Sequence, residues 1–425
     1  MQNRTSRELF DLVKSLTKCE KKSFNRYAKR NSNSESLNVL VIFRVLNSME
    51  QYDEKLLVRK MKGVQCQQLP SLKGHLYNQI LDSLRIGKND ESILLQLHQL
   101  MEHANILYAK GFVVQAGKVL KRLKNLASSR HQVSFLFQAL VMEKKIELIY
   151  GSCEQAKIKS LNNEMQACSH QLQLMGQMSN QSMLLFGLYK KYGSVTNTKE
   201  EENVDAIYGT YSKVDEESLS FYPKLYFFQA KTYYYLLRSQ TNLFFQSAKC
   251  WVDLFSQYPD MAELELVQFQ RGASYLNEAA FQLQARATLV QSAELLKRSP
   301  DLFYPLLAKI NFFLFEKHYD ASLIDQVYMY GKSLQNPERQ LRLCYKAAQL
   351  CLVGNDHGKV LDFTLLGLNQ KSEARIDLQF KLRLMQVEAH NKLSNFRITD
   401  YLELSTHRFA KRNGLLNVGH GLLSP

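Results

Sequence analysis

The segment GNDHGKV, at residues 354–360, is the part of the chain that comes closest to a phosphate-binding loop. Such a loop has four residues between its two glycines and a Ser or Thr after the lysine, because that hydroxyl binds magnesium. Here only three residues separate Gly354 from Gly358, and Val360 follows Lys359. The segment also joins two stretches of helical pattern, whereas a phosphate loop follows a strand. We therefore predict a turn between helices and no cofactor site.

Metal ligands and activated nucleophiles have recognisable spacings, which the cysteines and histidines do not show. Cys168 and His170 form the closest Cys/His group, and no second pair stands at ligand spacing. Cys344 and Cys351 fall on one helical face, which is typical of thiols packed in a core. The sequence therefore predicts no catalytic residue, no metal site and no cofactor, and hence a protein that is not an enzyme.

A basic stretch, TKCEKKSFNRYAKR at residues 17–30, carries six Lys or Arg and a single Glu. On a helix that begins at Thr17, Phe24, Tyr27 and Ala28 share one side. Four cations cluster within roughly 80° on the opposite side: Lys18, Lys22, Arg26 and Lys29. This stripe has two interpretations, the solvated face of an amphipathic helix or a surface that contacts nucleic acid or another anion.

The charge of the whole chain is concentrated near its N-terminus. Residues 1–89 carry a net charge of +9 out of the total of +15, which leaves +6 for the remaining residues. The longest strongly apolar run, LNVLVIF, is too short to span a membrane. The seven cysteines are scattered and odd in number, which suits a reducing compartment. These features predict a cytoplasmic protein with no membrane partner.

The composition favours helices, since Pro (7) and Gly (18) are scarce in 425 residues. We expect an all-α chain with a basic N-terminal helical domain at residues 1–89 and a flexible tail at 412–425. In that domain, Thr5–Glu8 and Thr17–Glu20 match the capping box and predict two helix starts. From residue 90 to 411, paired helices recur about every 40 residues, with pairs that begin near residues 132, 172, 219, 261, 300, 337 and 374.

The segment ANILYAKGFVVQAGKVL resembles a tetratricopeptide repeat (TPR) in its small, aromatic and turn positions: Ala104, Tyr108, Gly111, Ala116 and Leu120. The segment IELIYGSCEQAKI repeats the later half with Gly151 and Ala156. The resemblance implies stacked antiparallel helix pairs in a right-handed solenoid over residues 90–411. It also implies that one face of the first helix lines a groove, which here would carry His98, Met101, Asn105 and Tyr108.

Two functional hypotheses follow from these patterns. The first is a scaffold or adaptor that binds a protein or peptide partner on TPR-like repeats, because stacked helix pairs leave an extended binding surface. The second is a nucleic-acid-binding regulator in which the basic N-terminal domain contacts phosphates and the repeats sense a peptide or dimerise. The aromatic run FYPKLYFFQAKTYYYLL, at residues 221–237, fits either packing between helix pairs or the wall of a peptide groove.

Overall fold

The computed structural model describes residues 2–30, 34–60, 68–88, 92–152, 154–195, 197–209, 214–369 and 373–415. Across these ranges the regular structure is entirely helical, and no strand is present. The all-α prediction is confirmed for this part of the chain. The predicted tail at residues 412–425 lies outside the described residues from residue 416 onward.

The chain divides into two compact units, of which unit 1 comprises residues 1–129 and 135–158. The described residues of unit 1 include two hydrophobic cores, one built from residues 9–80 and the other from residues 97–142. The predicted boundary at residue 89 falls between these cores and inside unit 1, and it stays a prediction. The helices of unit 1 are α1 (Gln2–Ser15), α2 (Lys18–Arg30), α3 (Ser34–Ser48), α4 (Glu54–Lys60), α5 (Leu69–Lys88), α6 (Ile93–Ala109), α7 (Val113–Ser129) and α8 (Val133–Tyr150).

One of the two predicted capping boxes starts a helix. The Thr17 hydroxyl accepts a hydrogen bond from the Glu20 amide at 3.2 Å, and the Glu20 carboxylate accepts one from the Thr17 amide at 2.8 Å. These two bonds satisfy amides that the first turn of α2 leaves without helical partners. The other prediction is wrong, since α1 begins at Gln2 and already includes Thr5.

Unit 2 comprises residues 130–134 and 159–425. Its core is rich in aromatic side chains, of which Trp251, Tyr233 and Phe221 are fully buried. The helices from α9 onward are α9 (Gln155–Tyr192), α10 (Thr198–Gly209), α11 (Phe221–Leu237), α12 (Thr241–Gln257), α13 (Pro259–Leu264), α14 (Leu266–Gln282), α15 (Arg286–Leu296), α16 (Phe303–Phe315), α17 (Ala321–Ser333), α18 (Pro337–Val353), α19 (His357–Leu368), α20 (Ile376–Lys392) and α21 (Phe396–Arg412).

The predicted starts of helix pairs agree with the structure at most positions. Helices begin at Val133, Phe221, Phe303, Pro337 and Ile376, close to the predicted 132, 219, 300, 337 and 374. The start near residue 172 is wrong, because α9 runs through it as one helix of 38 residues. This segment contains no proline, and an interior glycine costs only about 1 kcal/mol, so nothing in it stops a helix.

A left-handed turn recurs where consecutive helices meet. At the end of α11, the Ser239 amide donates to Leu236 O at 3.1 Å and the Gln240 amide donates to Tyr235 O at 2.9 Å. These two bonds define a Schellman motif, which places its turn residue in the left-handed region. The same turn, with non-glycine residues at positive φ, follows α11, α14, α16, α18 and α20, at Ser239, Gln284, Lys317, Asn355 and Ser394.

Replacing Lys317 with glycine is expected to raise the free energy of unfolding by about 1 kcal/mol. Lys317 is exposed and has a φ of 51°, a conformation that strains any side chain with a Cβ and that glycine adopts without strain. The control is Lys249→Gly, at an exposed position inside α12, which should lower the same free energy by about 1 kcal/mol. Urea unfolding of both variants measures the two effects, and equal signs would contradict the turn assignment.

The aromatic run occupies α11 and serves mainly in packing. Phe221, Phe227, Phe228 and Tyr233 are buried, and the other four aromatic residues of this helix pack against the same core. Partly buried tyrosines of α11 also find hydrogen-bond acceptors, as when the Tyr222 hydroxyl donates to Glu265 at 2.8 Å. The packing interpretation is therefore confirmed for these residues.

Candidate functional site

A cavity of about 300 Å³ lies among the helices of unit 2. Its walls come from the C-terminal end of α9, the turn between α11 and α12, and the helices α14, α16, α18 and α20. Because α14 contacts α16, α16 contacts α18 and α18 contacts α20, side chains from four helices reach one space. The lining combines aromatic rings with an unusual number of charged groups for a protein interior.

One pair of charges at this cavity is a buried ion pair between α14 and α18. The Lys346 ammonium lies 2.9 Å from Glu278 Oε1, and their side chains are 9% and 16% exposed. Asn311 Nδ2 donates to the second oxygen of Glu278 at 3.2 Å. Burial raises the pKa of Glu278, but Lys346, Arg342 and the hydrogen bond from Asn311 together outweigh burial and lower this pKa to about 2. Glu278 is therefore ionised at neutral pH.

The Lys346 ammonium has a lowered pKa, and burial is the largest cause. Burial lowers the pKa of its ammonium, and Glu278 raises it again through the ion pair. Two neighbouring cations, Arg342 and Lys381, also lower it, and the net shift of this pKa is downward although the partner carboxylate is ionised. The positive charges around Lys346 thus offset part of the stabilisation that Glu278 supplies.

A second pair of charges joins the start of α20 to the end of α9. Arg375 donates to both oxygens of Asp377, at 2.8 and 2.7 Å, and to the Tyr189 hydroxyl at 3.1 Å. The Arg375 backbone has a φ of 49°, and its amide donates to Lys190 O at 2.7 Å. Gly193 lies against the Asp377 carboxylate, where a Cβ would collide with it. These contacts hold the Arg375 guanidinium in a fixed position.

Two further cations at the cavity lack such partners. The Arg342 side chain is only 12% exposed, and its nearest carboxylate oxygen, on Glu338, is 3.7 Å from Nη1, which is too long for a hydrogen bond. Its guanidinium lies over the rings of Tyr275 and Phe303. Lys381 lies over the ring of Tyr345, with 5.6 Å between Nζ and the ring centroid. Neither cation donates a hydrogen bond to a described residue.

The four cations and two carboxylates that line the cavity leave a formal charge of +2. The cations are Arg342, Lys346, Arg375 and Lys381, and the carboxylates are Glu278 and Asp377. This site was not predicted from the sequence, although one signal was available. Glu338, Arg342 and Lys346 are spaced four residues apart on one face of the helix that became α18.

The basic residues predicted on α2 share an exposed face. Phe24 and Ala28 are buried on the other side of the helix, and the Phe24 ring packs on Phe43 with 4.5 Å between centroids. Tyr27 is half-buried. Among the described residues no carboxylate pairs with any of the four cations, Lys18, Lys22, Arg26 and Lys29, and all four side chains are exposed. The geometry is that of the predicted stripe, and its role stays a prediction.

The predicted groove residues lie on α6 in unit 1 and do not line the charged cavity of unit 2. Met101 and Tyr108 are partly buried and pack against the second core of unit 1. The His98 ring contacts Phe135 of α8 edge-on, with 4.8 Å between centroids, and its side chain remains exposed. Asn105 is exposed. Two of the four residues thus contribute to packing, and their role in binding a peptide stays a prediction.

Segments that could have carried other chemistry have structural roles in the described part of the chain. Residues 354–356 form a turn between α18 and α19, as predicted, and residues 357–360 begin α19. The Asp356 carboxylate caps α19 by accepting from the Lys359 amide at 3.0 Å. Cys344 and Cys351 are buried, and burial raises the pKa of each thiol to about 12. Such thiols are unreactive at neutral pH.

Over the described ranges, no group of three or more His, Cys, Asp or Glu side chains is placed to hold a metal ion. Within the same ranges, none of the helices has the length and apolar character that crossing a membrane requires. No protein-family model matches the chain. A search of curated proteins finds no significant match.

Proposed function

We propose that the protein is a non-enzymatic scaffold or adaptor whose residues 90–411 form a right-handed, TPR-like solenoid of stacked antiparallel helix pairs. The observation that carries the proposal is the recurrence of one Schellman turn after α11, α14, α16, α18 and α20, at intervals of 33 to 45 residues. Such intervals are typical of helical repeats. In unit 2, the first helices of successive pairs also contact each other in chain order, from α14 to α20.

In this proposal a protein or peptide partner binds on the side of unit 2 where the first helices of the pairs meet. Tyrosine and arginine, which dominate the binding energy of protein interfaces, are concentrated there, as in Tyr345 and Arg342 of α18. Exposed apolar side chains occur on several helices of the unit, and Met183 and Leu266 are examples. A cytoplasmic location is part of the same proposal.

Affinity purification from cell extract, with and without nuclease, tests the proposed function. We expect protein partners that persist after nuclease treatment and are lost from a Lys381→Glu variant, whose reversed charge changes the partner-facing side. The matched control is Lys392→Glu, an exposed change on the same helix, α20, which should retain them. Partners that disappear with nuclease and not with Lys381→Glu would contradict the scaffold proposal and favour the alternative.

The second candidate function is nucleic-acid binding by the basic N-terminal domain. One observation favours it, namely that α2 presents four cations on a single exposed face without carboxylate partners among the described residues. Cations arranged in this way can neutralise successive phosphates of a duplex and release condensed counterions. In this alternative the TPR-like repeats serve as a sensor or a dimerisation domain.

If the stripe on α2 contacts phosphates, duplex DNA binding should weaken with salt at a log-log slope of roughly −0.9 per phosphate neutralised. Changing all four cations to glutamine, a good helix former, should flatten that slope by about three to four units and leave the buried Phe24 face intact. The control changes four exposed lysines of unit 2 to glutamine: Lys249, Lys309, Lys317 and Lys392. Fluorescence anisotropy measures both slopes, and an equal loss in the two variants would exclude a specific role for α2.

A further inference from the structure

The charged cavity of unit 2 has the features of a ligand site more than those of a structural network. A structural network would satisfy its buried donors internally, because each buried donor without a partner is unfavourable. Glu278 with Lys346, and Asp377 with Arg375, meet that condition. Arg342 meets it only in part, since its guanidinium is largely withdrawn from solvent, forms an ion pair with Glu338 at 3.7 Å and donates no hydrogen bond to a described residue.

The charge of the cavity favours an anion. Its lining carries a formal charge of +2, which the buried Glu338 carboxylate, 3.7 Å from Arg342, reduces to +1, and the carboxylates of Glu278 and Asp377 are already engaged by Lys346 and Arg375. The cations left to meet a ligand are Arg342 and Lys381. A carboxylate supplies one negative charge, whereas a phosphate monoester supplies close to two at neutral pH. The planar fork of an arginine also matches two phosphate oxygens at once.

The other residues that line the cavity indicate the chemical character of the rest of the ligand. Rings of Phe244, Phe281 and Tyr345 face the same space, together with apolar atoms of Leu307. The volume of about 300 Å³ lies at the small end of the range of ligand pockets, about 300 to 1,000 Å³, so the body attached to the phosphate must be small. A flat or apolar group would pack against these rings.

We propose that this cavity binds a phosphate monoester with a small aromatic or apolar body, and that Arg342 and Lys381 bind its phosphate. The inference goes beyond the scaffold function, because it assigns a small ligand to residues of the proposed partner-facing side, and its calorimetric test needs no partner protein. Two sources share this chemistry, a free phosphate ester and a phosphorylated side chain of a partner. Lys346 and Arg375 act as positioning residues, since their charges are held by Glu278 and Asp377.

Isothermal titration calorimetry of the full-length protein with phenyl phosphate at pH 7.5 tests the proposal. We expect one site per chain and binding at least tenfold weaker for benzoate, which has a similar body and one charge fewer. Lys381→Gln should weaken phenyl phosphate binding by about tenfold to a hundredfold, the value of a charged hydrogen bond. Lys392→Gln, which removes an exposed charge from the same helix, should bind as the wild type does.

Arg342 is tested by Arg342→Lys, which keeps the charge and removes the fork, with thermal unfolding as the check on folding. A folded Arg342→Lys variant should also lose about tenfold in affinity for phenyl phosphate. A peptide with one phosphotyrosine, titrated beside phenyl phosphate, distinguishes the two sources, since only a side-chain site binds it as tightly as the free ester. Equal binding of benzoate and phenyl phosphate, equal affinities for Lys381→Gln and Lys392→Gln, or no binding at millimolar phenyl phosphate would overturn the proposal.

Discussion

Replacing Glu278 with glutamine is expected to lower the free energy of unfolding by about 3 to 5 kcal/mol. The change keeps the size of the side chain, so that packing between α14 and α18 is retained. It removes the negative charge that lies 2.9 Å from the Lys346 ammonium, in a position where both side chains are largely withdrawn from water. The loss arises because Lys346 is left as a buried cation among other cations, Arg342 and Lys381.

Two matched variants separate the buried charge from the substitution itself. Adding Lys346→Met to Glu278→Gln removes the uncompensated cation, so the double variant should recover most of the loss. Glu294→Gln removes a carboxylate from an exposed pair with Lys297, whose side chains are 67% and 66% exposed, and should change the stability by less than about 1 kcal/mol. Chemical denaturation measures all three, and a loss as small for Glu278→Gln as for Glu294→Gln would contradict the buried-pair assignment.

The same pair predicts how stability depends on pH. The pKa of Glu278 falls from an ordinary 4.5 to about 2 on folding, so ionised Glu278 favours the folded state. This contribution is complete above about pH 4.5 and is lost as the pH falls towards 2. The stability difference between wild type and Glu278→Gln should therefore be constant near neutral pH and shrink in that acidic window.

Local features of this fold can be predicted from the sequence because their causes lie within a few residues. Thr17 and Glu20 cap the start of α2 with reciprocal hydrogen bonds. Pro337 begins α18 because proline has no amide hydrogen, and an amide at that position would have no helical partner. Asp356, inside the segment that resembles a phosphate loop, caps the start of α19. The exposed stripe of α2 follows from helical geometry alone.

The cavity could not be predicted in this way because tertiary packing assembles it. Tyr189 and Arg375, which share a hydrogen bond, are 186 residues apart in the chain. Helical periodicity assigns charged positions such as Lys346 to a solvated face, whereas α16 and α20 pack against α18 and Glu278 of α14 pairs with Lys346. The length of α9 was also not predicted, because the weak amphipathic pattern of this segment does not indicate where a helix ends.

Replacing Trp251 with alanine is the second change with a large expected effect, a loss of about 3 to 5 kcal/mol in the free energy of unfolding. Trp251 of α12 is fully buried and packs edge-on against Tyr233 of α11, with 6.1 Å between ring centroids. It also stacks on Tyr275 of α14 at 5.9 Å. Removing the indole therefore opens a cavity where three helices meet, and the rigid rings around it cannot close the gap.

Gly272→Ala tests this packing, because its effect on the free energy of unfolding should change sign when Trp251 is removed. A Cβ on Gly272 would lie 3.0 Å from the indole ring, so Gly272→Ala should destabilise the wild type by crowding that contact. In the Trp251→Ala background the crowding is gone, and Gly272→Ala should instead stabilise α14 by about 1 kcal/mol through its better helix propensity. Urea unfolding of the four proteins completes the double-mutant cycle. An effect of Gly272→Ala that is the same in both backgrounds would show that α12 and α14 do not meet through Trp251 and Gly272.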